Sequence, residues 1–248
     1  MGILEFEHKF IVNPSLVPRF RLNQGHPRFR QFAPQGTRRF LDEYYDGGTS
    51  GTELARRGLW VRRRDGIWEA KQRRGGDFVR SIFHETRDVR EIRRLIASHV
   101  RGVGAAQAGP ERDFGLRCIC RYRTDREMFL VDKRFSVVLD GTDFGHLVGE
   151  VEVMEMEMER QRHGSPGGLQ GIEAFMRRYE WFFAVGGGAR PKGKMTAYFE
   201  RFGFPSECDT PALVSFTFWE DQGKGLRSRY DKRELSPSAY FNRNHDAG

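Results

Sequence analysis

The chain has 248 residues, of which 38% are hydrophobic, and it contains 21 Phe, 4 Trp and 7 Tyr. This aromatic content excludes an intrinsically disordered chain and predicts a folded core. The 42 Lys and Arg outnumber the 34 Asp and Glu, which gives a formal net charge of +8. Such an excess of positive charge favours an anionic partner, whether nucleic acid, an anionic membrane or a polyphosphate.

No apolar run approaches the roughly 20 residues of a transmembrane helix, which excludes a membrane-spanning helix. The N-terminal sequence MGILEFEHKF carries acids where a signal peptide carries an apolar block. The 3 cysteines are too few for a disulfide framework. We therefore expect a soluble cytoplasmic protein with no membrane partner.

Alternation of apolar and polar residues predicts about eight strands. The predicted strands span 3–12, 38–45, 58–72, 78–86, 115–123, 127–139, 146–158 and 194–202. Helical periodicity predicts amphipathic helices over 86–101 and 169–185. About eight strands with so few helices favour an antiparallel, β-rich α+β domain over alternating βαβ units. We expect that domain to span 1–205, and we expect 206–248, which lack sustained periodicity, to form a loosely ordered C-terminal extension.

Several predicted strands have one apolar face and one charged face. On the first strand, Glu5, Glu7 and Lys9 lie opposite the apolar side chains. The other charged faces carry Trp60, Arg62 and Arg64; Glu69 and Lys71; Arg121 and Arg123; and Glu150 and Glu152. In an open sheet these faces would be solvated. In a closed barrel they would converge on a lumen, with the apolar faces outside and covered by the helices.

Charges of both signs in one lumen would suit phosphate chemistry. Carboxylates are ligands for hard divalent cations, and Arg and Lys side chains bind multiply charged phosphate chains. A site that combines them is typical of phosphoryl transfer. The alternation by itself leaves a solvated sheet face as the other interpretation.

The order of several motifs narrows this choice. Glu5-Phe6-Glu7-His8-Lys9 forms an ExExK motif at the N-terminus. It is followed by Tyr44-Tyr45-Asp46, by Trp60 to Arg64 and Trp68 to Lys71, by Arg123, by Asp140 to Glu152, and by Lys194 at the start of KMTAYFERF. These blocks, in this order across residues 3–205, resemble the CYTH superfamily, the triphosphate tunnel metalloenzymes. The resemblance implies an α+β fold in which an eight-stranded antiparallel β-barrel forms a tunnel, with a few flanking amphipathic helices.

The resemblance also implies roles for the matching residues. The implied ligands of one or two Mg²⁺ ions, or of Mn²⁺, are Glu5, Glu7, Glu150 and Glu152, with Asp140 as a further ligand. The implied substrate-binding residues are Lys9, Trp60, Arg62, Arg64, Lys71, Arg123 and Lys194. Lys9 would also be catalytic, by assisting the attacking water, and Trp60 would stack on the rings of thiamine. Val138 stands where the family often has the first acid of an Asp-x-Asp pair, which leaves the ligand role of Asp140 open.

Within the family, FGHLVGEVE and KMTAYFERF are most similar to the branch that acts on thiamine triphosphate. The expected activity is therefore metal-dependent hydrolysis of thiamine triphosphate to thiamine diphosphate and phosphate. An inorganic triphosphatase and a nucleotide-acting CYTH enzyme are the alternatives within the family. A non-catalytic module that binds polyphosphate or nucleic acid is the alternative outside it, although such a module has no use for four carboxylates. We expect a small-molecule triphosphate as partner, no specific nucleic acid, and a monomer.

Two further motifs have simpler interpretations. The segment from Gly188 to Met195 is one residue short of a P-loop, but Met195 cannot ligate Mg²⁺, and we expect a loop that leads into the last strand. In the run from Met154 to Glu159, the alternation places the additional glutamates on the face opposite to Glu152, away from a tunnel.

Overall fold

In the computed structural model, the strands surround a central lumen and the helices pack against the outside. The structure describes residues 3–47, 51–99, 109–156, 168–183 and 189–204; the predicted C-terminal extension over 206–248 lies outside the described residues. The strands are β1 (Ile3–Phe10), β2 (Phe32–Asp46), β3 (Leu59–Arg64), β4 (Ile67–Gly76), β5 (Arg80–Thr86), β6 (Arg117–Val131), β7 (Phe135–Thr142) and β8 (Leu147–Met156). The helices are α1 (Val17–Arg21), α2 (Glu53–Arg56), α3 (Val89–His99), α4 (Gly168–Arg178), α5 (Glu180–Phe183) and α6 (Lys194–Phe202).

The eight strands form a closed antiparallel ring in the order β1-β5-β4-β3-β2-β6-β7-β8. The ring closes where β1 pairs with β8, so the first and last strands are neighbours. Closure leaves no sheet edge and gives the ring an inside and an outside. The predicted fold class is therefore confirmed.

Several of the predicted elements differ from the observed ones. The predicted strands 115–123 and 127–139 are divided differently, because β6 runs without interruption over Arg117–Val131 and β7 begins at Phe135. The segment 58–72 forms two strands, because Asp65 and Gly66 adopt positive φ angles of 47° and 83° and make the two-residue turn between β3 and β4. The prediction of a strand over 194–202 is wrong, since these residues form helix α6. In KMTAYFERF the apolar residues satisfy both a period of two and a helical period, and periodicity alone cannot separate these for a short segment.

The outer face of β1, β6, β7 and β8 is covered by α1, α4 and α5. Phe20 of α1 stacks on Phe182 of α5, with 4.0 Å between ring centroids, and Phe135 of β7 stacks on Phe175 of α4 at 4.1 Å. All four side chains are buried. The helix predicted over 169–185 therefore covers the outer face of the ring, as two helices, α4 and α5.

A second apolar cluster lies outside β3 and β4, beneath α2 and α3. It packs Leu54 of α2 and Ile92 and Ile96 of α3 against Val61 and Trp68 of the sheet. The helix predicted over 86–101 is thus confirmed as α3, and its apolar stripe is the buried face. With apolar side chains outside and charged ones inside, the strands have the arrangement expected for a tunnel.

Helix α6 packs through Phe199 against Tyr44, Tyr122 and Phe144. Its first residue, Lys194, follows the N-cap residue Gly193. Within the described ranges, no helix is long and apolar enough to cross a membrane.

Candidate active site

A cavity of about 970 Å³ occupies the inside of the ring. It is lined by charged side chains of both signs, namely Glu5, Glu7, Lys9, Arg56, Arg62, Arg64, Lys71, Arg73, Glu85, Arg126, Glu150, Glu152, Lys192, Lys194 and Glu200. The strand register sets Glu7 directly opposite Glu152, and Lys9 directly opposite Glu150. The inward orientation predicted for β1, β3 and β8 is therefore confirmed.

Lys9 joins the carboxylates of β1 and β8. Its ammonium group contacts Glu7 and lies 3.2 Å from Oε1 of Glu150. Burial disfavours the charged form, but Glu150 and Glu7 outweigh it and raise the pKa of Lys9 above its ordinary value. Lys9 is therefore a permanent cation at neutral pH, which suits it to stabilise negative charge rather than to accept a proton.

Lys71 is shared among three carboxylates. Its ammonium group contacts Glu5, donates to Oε2 of Glu7 at 2.8 Å and lies 3.2 Å from Oε1 of Glu85. Although burial acts in the opposite direction, these carboxylates raise the pKa of Lys71 well above its ordinary value. Lys71 is therefore a second permanent cation.

Two guanidinium groups are oriented by buried aspartates. Arg64 donates from Nε and Nη2 to the two oxygens of Asp42, at 2.7 and 2.8 Å. Arg126 donates in the same way to Asp140, also at 2.7 and 2.8 Å. A guanidinium has five N–H donors in a fixed plane, so neither pair with an aspartate uses Nη1. Nη1 of Arg126 lies 3.8 Å from Oε1 of Glu152. Both aspartate side chains are fully buried, so these arginines are held rigidly in the wall.

Arg62 is held by Glu69, which accepts from its Nε at 2.8 Å, and its Nη1 also donates to the hydroxyl of Tyr44 at 3.4 Å. Arg62 lines the cavity, whereas its neighbour Arg63 points outward and pairs with Glu43 at 2.9 Å. The parity predicted for β3 is therefore confirmed residue by residue.

The ligand role expected for Asp140 does not fit its surroundings. Asp140 does not line the cavity, and its two oxygens are bound by Arg126 and by the ammonium group of Lys194. These cations hold the pKa of Asp140 below its ordinary value in spite of burial. Asp140 therefore orients two cations from behind the wall, and Lys194 reaches the cavity from a helix rather than from a strand.

The prediction that Arg123 faces the tunnel is wrong. Arg123 is exposed and does not line the cavity, whereas Tyr122 and Thr124 on either side of it are buried. The prediction took charged residues of this segment as inward and apolar ones as outward. In the described part of the chain, the helices of the second apolar cluster do not cover Arg121 and Arg123, which are exposed outside the ring, and Tyr122 between them lies within.

Arg126 replaces Arg123 in the wall of the cavity, and sequence reasoning missed it. Arg126 shares its face with Tyr122, four residues earlier on the same strand. A continuous 15-residue strand over β6 would not have been enough to find it, because Arg126 has the opposite parity to Arg123, which the prediction placed inward. Glu85 and Arg73 were missed as well, although both follow the alternation of cavity residues on β5 and β4.

Trp60 lines the cavity, as predicted. Its ring makes an edge-to-face contact with Phe83, with 5.5 Å between centroids and 82° between planes. The guanidinium of Arg73 lies 5.0 Å from the centroid of the Trp60 ring. The Trp60 ring is therefore part of the cavity wall, and the guanidinium of Arg73 lies over it.

The four glutamates have the donor chemistry that a hard divalent cation requires. Burial raises the pKa of Glu5 to about 8 against the effect of Lys71, and burial together with Glu150 and Glu7 raises the pKa of Glu152 to about 7 against Arg126. Carboxylates that oppose one another in a buried wall gain most from an added cation. Within the described ranges, no three His, Cys, Asp or Glu side chains form a ready-made metal cluster. The four glutamates therefore suit a divalent cation by the type of their oxygen ligands and by their common position on the inner face of the ring.

The sequence is similar to that of human thiamine-triphosphatase. The two are 28% identical over 173 residues, which cover 63% of this chain and 70% of the relative. This similarity agrees with the resemblance of the sequence motifs to the CYTH superfamily. No family model matches the chain.

Solved structures with a similar arrangement are more distant in sequence. One is a protein from Pyrococcus horikoshii, with a TM-score of 0.47 and 15% identity over 79% of this chain and 99% of that one. Another is a Hippeastrum protein studied as an adenylyl cyclase and described as having a dominant triphosphatase activity, with a TM-score of 0.41 and 16% identity over 81% of this chain and 96% of that one.

Proposed function

We propose that the protein hydrolyses the terminal phosphate of a triphosphate with the help of Mg²⁺ or Mn²⁺, and that thiamine triphosphate is its first-choice substrate. The observation that carries this proposal is the charged lining of the closed ring. Six cationic side chains, Lys9, Arg62, Arg64, Lys71, Arg126 and Lys194, line one cavity together with Glu5, Glu7, Glu150 and Glu152. A module that only binds anions would gain nothing from the four carboxylates.

The chain's own residues would hold the triphosphate by exchanging partners. In the structure, Lys9 and Lys71 are neutralised by glutamates. Glu5, Glu7, Glu150 and Glu152 would hold the divalent ion, which when bound supplies Lewis-acid polarisation of the phosphoryl oxygens. The two lysines would then be free to contact the phosphate chain. Each carboxylate and each ammonium would thus keep an opposite charge as its neighbour throughout binding.

Catalysis in this arrangement would be mainly electrostatic. Charge on the transferred phosphoryl group spreads over its oxygens in the transition state, so donors fixed in advance lower the barrier. Arg64 and Arg126 meet this condition because buried aspartates fix their planes. Lys9, which remains protonated, would assist by placing positive charge near the attacked phosphate rather than by removing a proton from water.

Two observations support thiamine triphosphate as the substrate. Trp60 lies in the cavity wall, where an indole face attracts a cationic aromatic ring through stacking and cation–π interaction. The curated relative described above is a thiamine-triphosphatase. A general triphosphatase is the second candidate, because Arg73 already covers the Trp60 ring and tripolyphosphate needs no aromatic contact.

The proposal is tested by phosphate release from thiamine triphosphate, tripolyphosphate and ATP, each with Mg²⁺ and with EDTA. We expect release from thiamine triphosphate only when the metal is present, with a lower kcat/KM for the other two. A Glu7→Gln variant serves as the catalytic control and should be inactive while remaining folded at the assay temperature. Absence of release from all three substrates, with the protein folded and Mg²⁺ or Mn²⁺ supplied, would refute the proposed function.

A further inference from the structure

Arg73 differs in its surroundings from the carboxylate-paired arginines of the cavity wall. Its guanidinium lies between two aromatic rings, 5.0 Å from the centroid of Trp60 and 4.6 Å from that of Phe78. Its Nε is buried and has no hydrogen-bond partner. Among the described residues, no carboxylate lies within ion-pair distance of Arg73, whereas Arg62, Arg64 and Arg126 each have one.

The strand register explains how Arg73 comes to cover Trp60. Trp60 of β3 pairs with Lys71 of β4, and Arg73 follows Lys71 on the same face. The β4–β5 register shifts between Arg73 and Gly75, so the alternation is interrupted directly after Arg73. Arg73 is therefore the last lumen-facing cation of its strand before this irregularity. Lys71 contacts the glutamates, and Arg73 lies one strand repeat farther from them.

We propose that Arg73 sets the charge selectivity of the aromatic end of the tunnel, by competing with cationic rings for the face of Trp60. This inference rests on the proposed triphosphatase function and deepens it by naming the class of organic group that the site discriminates. A cationic ring such as thiazolium must displace the guanidinium and take its place, because two cations on one indole face repel each other. A neutral ring such as a purine meets no such repulsion and can stack on the guanidinium plane itself.

The competition predicts opposite consequences for the two ends of the substrate. The phosphate chain is bound by cations that are paired with carboxylates. The affinity for the phosphate chain therefore does not depend on whether Arg73 or a ligand ring lies over Trp60. Removal of the positive charge at position 73 should therefore favour thiamine triphosphate relative to tripolyphosphate, by about fivefold for one exposed cation–π contact. In a protein without the Trp60 ring, Arg73 and a cationic ligand ring no longer compete for the same aromatic face. Substitution of Arg73 should then leave the ratio of affinities for thiamine triphosphate and tripolyphosphate unchanged.

The experiment measures binding by calorimetry in EDTA, so that turnover does not interfere, for thiamine triphosphate, ATP and tripolyphosphate. The variants are Arg73→Gln, Arg73→Lys, Trp60→Ala, and Arg73→Gln combined with Trp60→Ala. Arg74→Gln is the matched control, because Arg74 is the adjacent, exposed arginine and does not line the cavity. We expect the ratio of affinities for thiamine triphosphate and tripolyphosphate to rise about fivefold in Arg73→Gln, and to stay at the wild-type value in Arg73→Lys and Arg74→Gln. The double variant should show the ratio of Trp60→Ala alone.

An unchanged ratio in Arg73→Gln, or a fall in it, would overturn the inference, since the guanidinium would then be neutral toward the ligand or bind it directly. Equal weakening of all three ligands would also overturn it, by placing Arg73 among the phosphate contacts. If Arg73→Gln does not fold, Arg73→Met gives the same comparison with an apolar side chain of similar length. Wild-type protein that binds and hydrolyses none of the three would instead refute the proposed function, and the inference with it.

Discussion

Replacing Asp140 by Asn should destabilise the protein more than any loss of a surface ion pair, because it removes a buried carboxylate that two buried cations share. The Asp140 side chain has 0% exposure, and its partners Arg126 and Lys194 are 15% and 9% exposed. Breaking a buried pair by removing one charge costs about 3–5 kcal/mol. For a domain of this size that corresponds to a fall in Tm of roughly 10 °C.

Asp125→Asn provides a matched control. Asp125 binds Arg39 through the same two guanidinium nitrogens, at 2.5 and 3.0 Å, but that arginine side chain is 65% exposed. An exposed pair contributes only about 0–1 kcal/mol, so this variant should melt within a few degrees of wild type.

Thermal melting with and without tripolyphosphate measures both effects. The polyanion offers the two cations a substitute for Asp140, so it should raise the Tm of Asp140→Asn more than that of the wild type. Equal melting of the two variants would refute the reasoning, because Asp140 would then contribute no more than a surface carboxylate. A destabilised Asp140→Asn that gains no more from tripolyphosphate than the wild type would show that Arg126 and Lys194 are not available to a phosphate ligand.

Three further results are expected. Arg62→Ala should weaken tripolyphosphate binding, measured by calorimetric titration, by about 1.5–3 kcal/mol, which is the scale of a charge-assisted hydrogen bond. Arg63→Ala, at an outward-facing residue, should leave the binding unchanged. Equal effects of the two substitutions would mean that the wrong face of β3 has been assigned to the tunnel. Trp60→Ala should raise KM for thiamine triphosphate about tenfold relative to KM for tripolyphosphate, and an equal rise for both would assign Trp60 to wall packing alone. In metal-free protein, the raised pKa of Glu152, about 7 against an ordinary 4.5, means that its contribution to stability is present below pH 4.5 and is lost as pH rises through 7. The loss amounts to about 3 kcal/mol, and chemical denaturation of Glu152→Gln across this range should show a flatter profile than the wild type if that carboxylate is responsible.

The alternation of charged and apolar residues predicted the part of the site where strands are covered by helices. Glu5, Glu7 and Lys9 were assigned correctly because the apolar face of β1 packs beneath α4, so burial outside forces charge inside. On β6 that rule failed, since the outer face around Arg123 is solvated and charge on it carries no information about the lumen. Correct assignment there would have needed the register with β2, which shifts between Tyr44 and Tyr45 and is not visible in one strand's sequence.

Helix α6 shows a second limit of sequence reasoning. Lys194 was expected in the cavity and lies there, although the element that carries it is a helix and not a strand. The position depends on long-range contacts, such as that of Phe199 with Tyr122 and the ion pair with Asp140. Such tertiary contacts override local preference in a short segment and cannot be deduced from its period.

The pairing of β1 with β8 has a consequence for how the protein folds. Glu7 and Glu152 are opposite each other in the ring but 145 positions apart in the chain (residues 7 and 152). Contacts of such high sequence separation form late and slowly, because the entropy of closing the long intervening loop is lost before the pairing is gained. The carboxylate set is therefore completed only at the step that closes the ring, and that step must bring like charges together. Divalent cations added to a refolding reaction should consequently accelerate this last phase and leave the earlier formation of helix α3 and the β3–β4 hairpin unaffected.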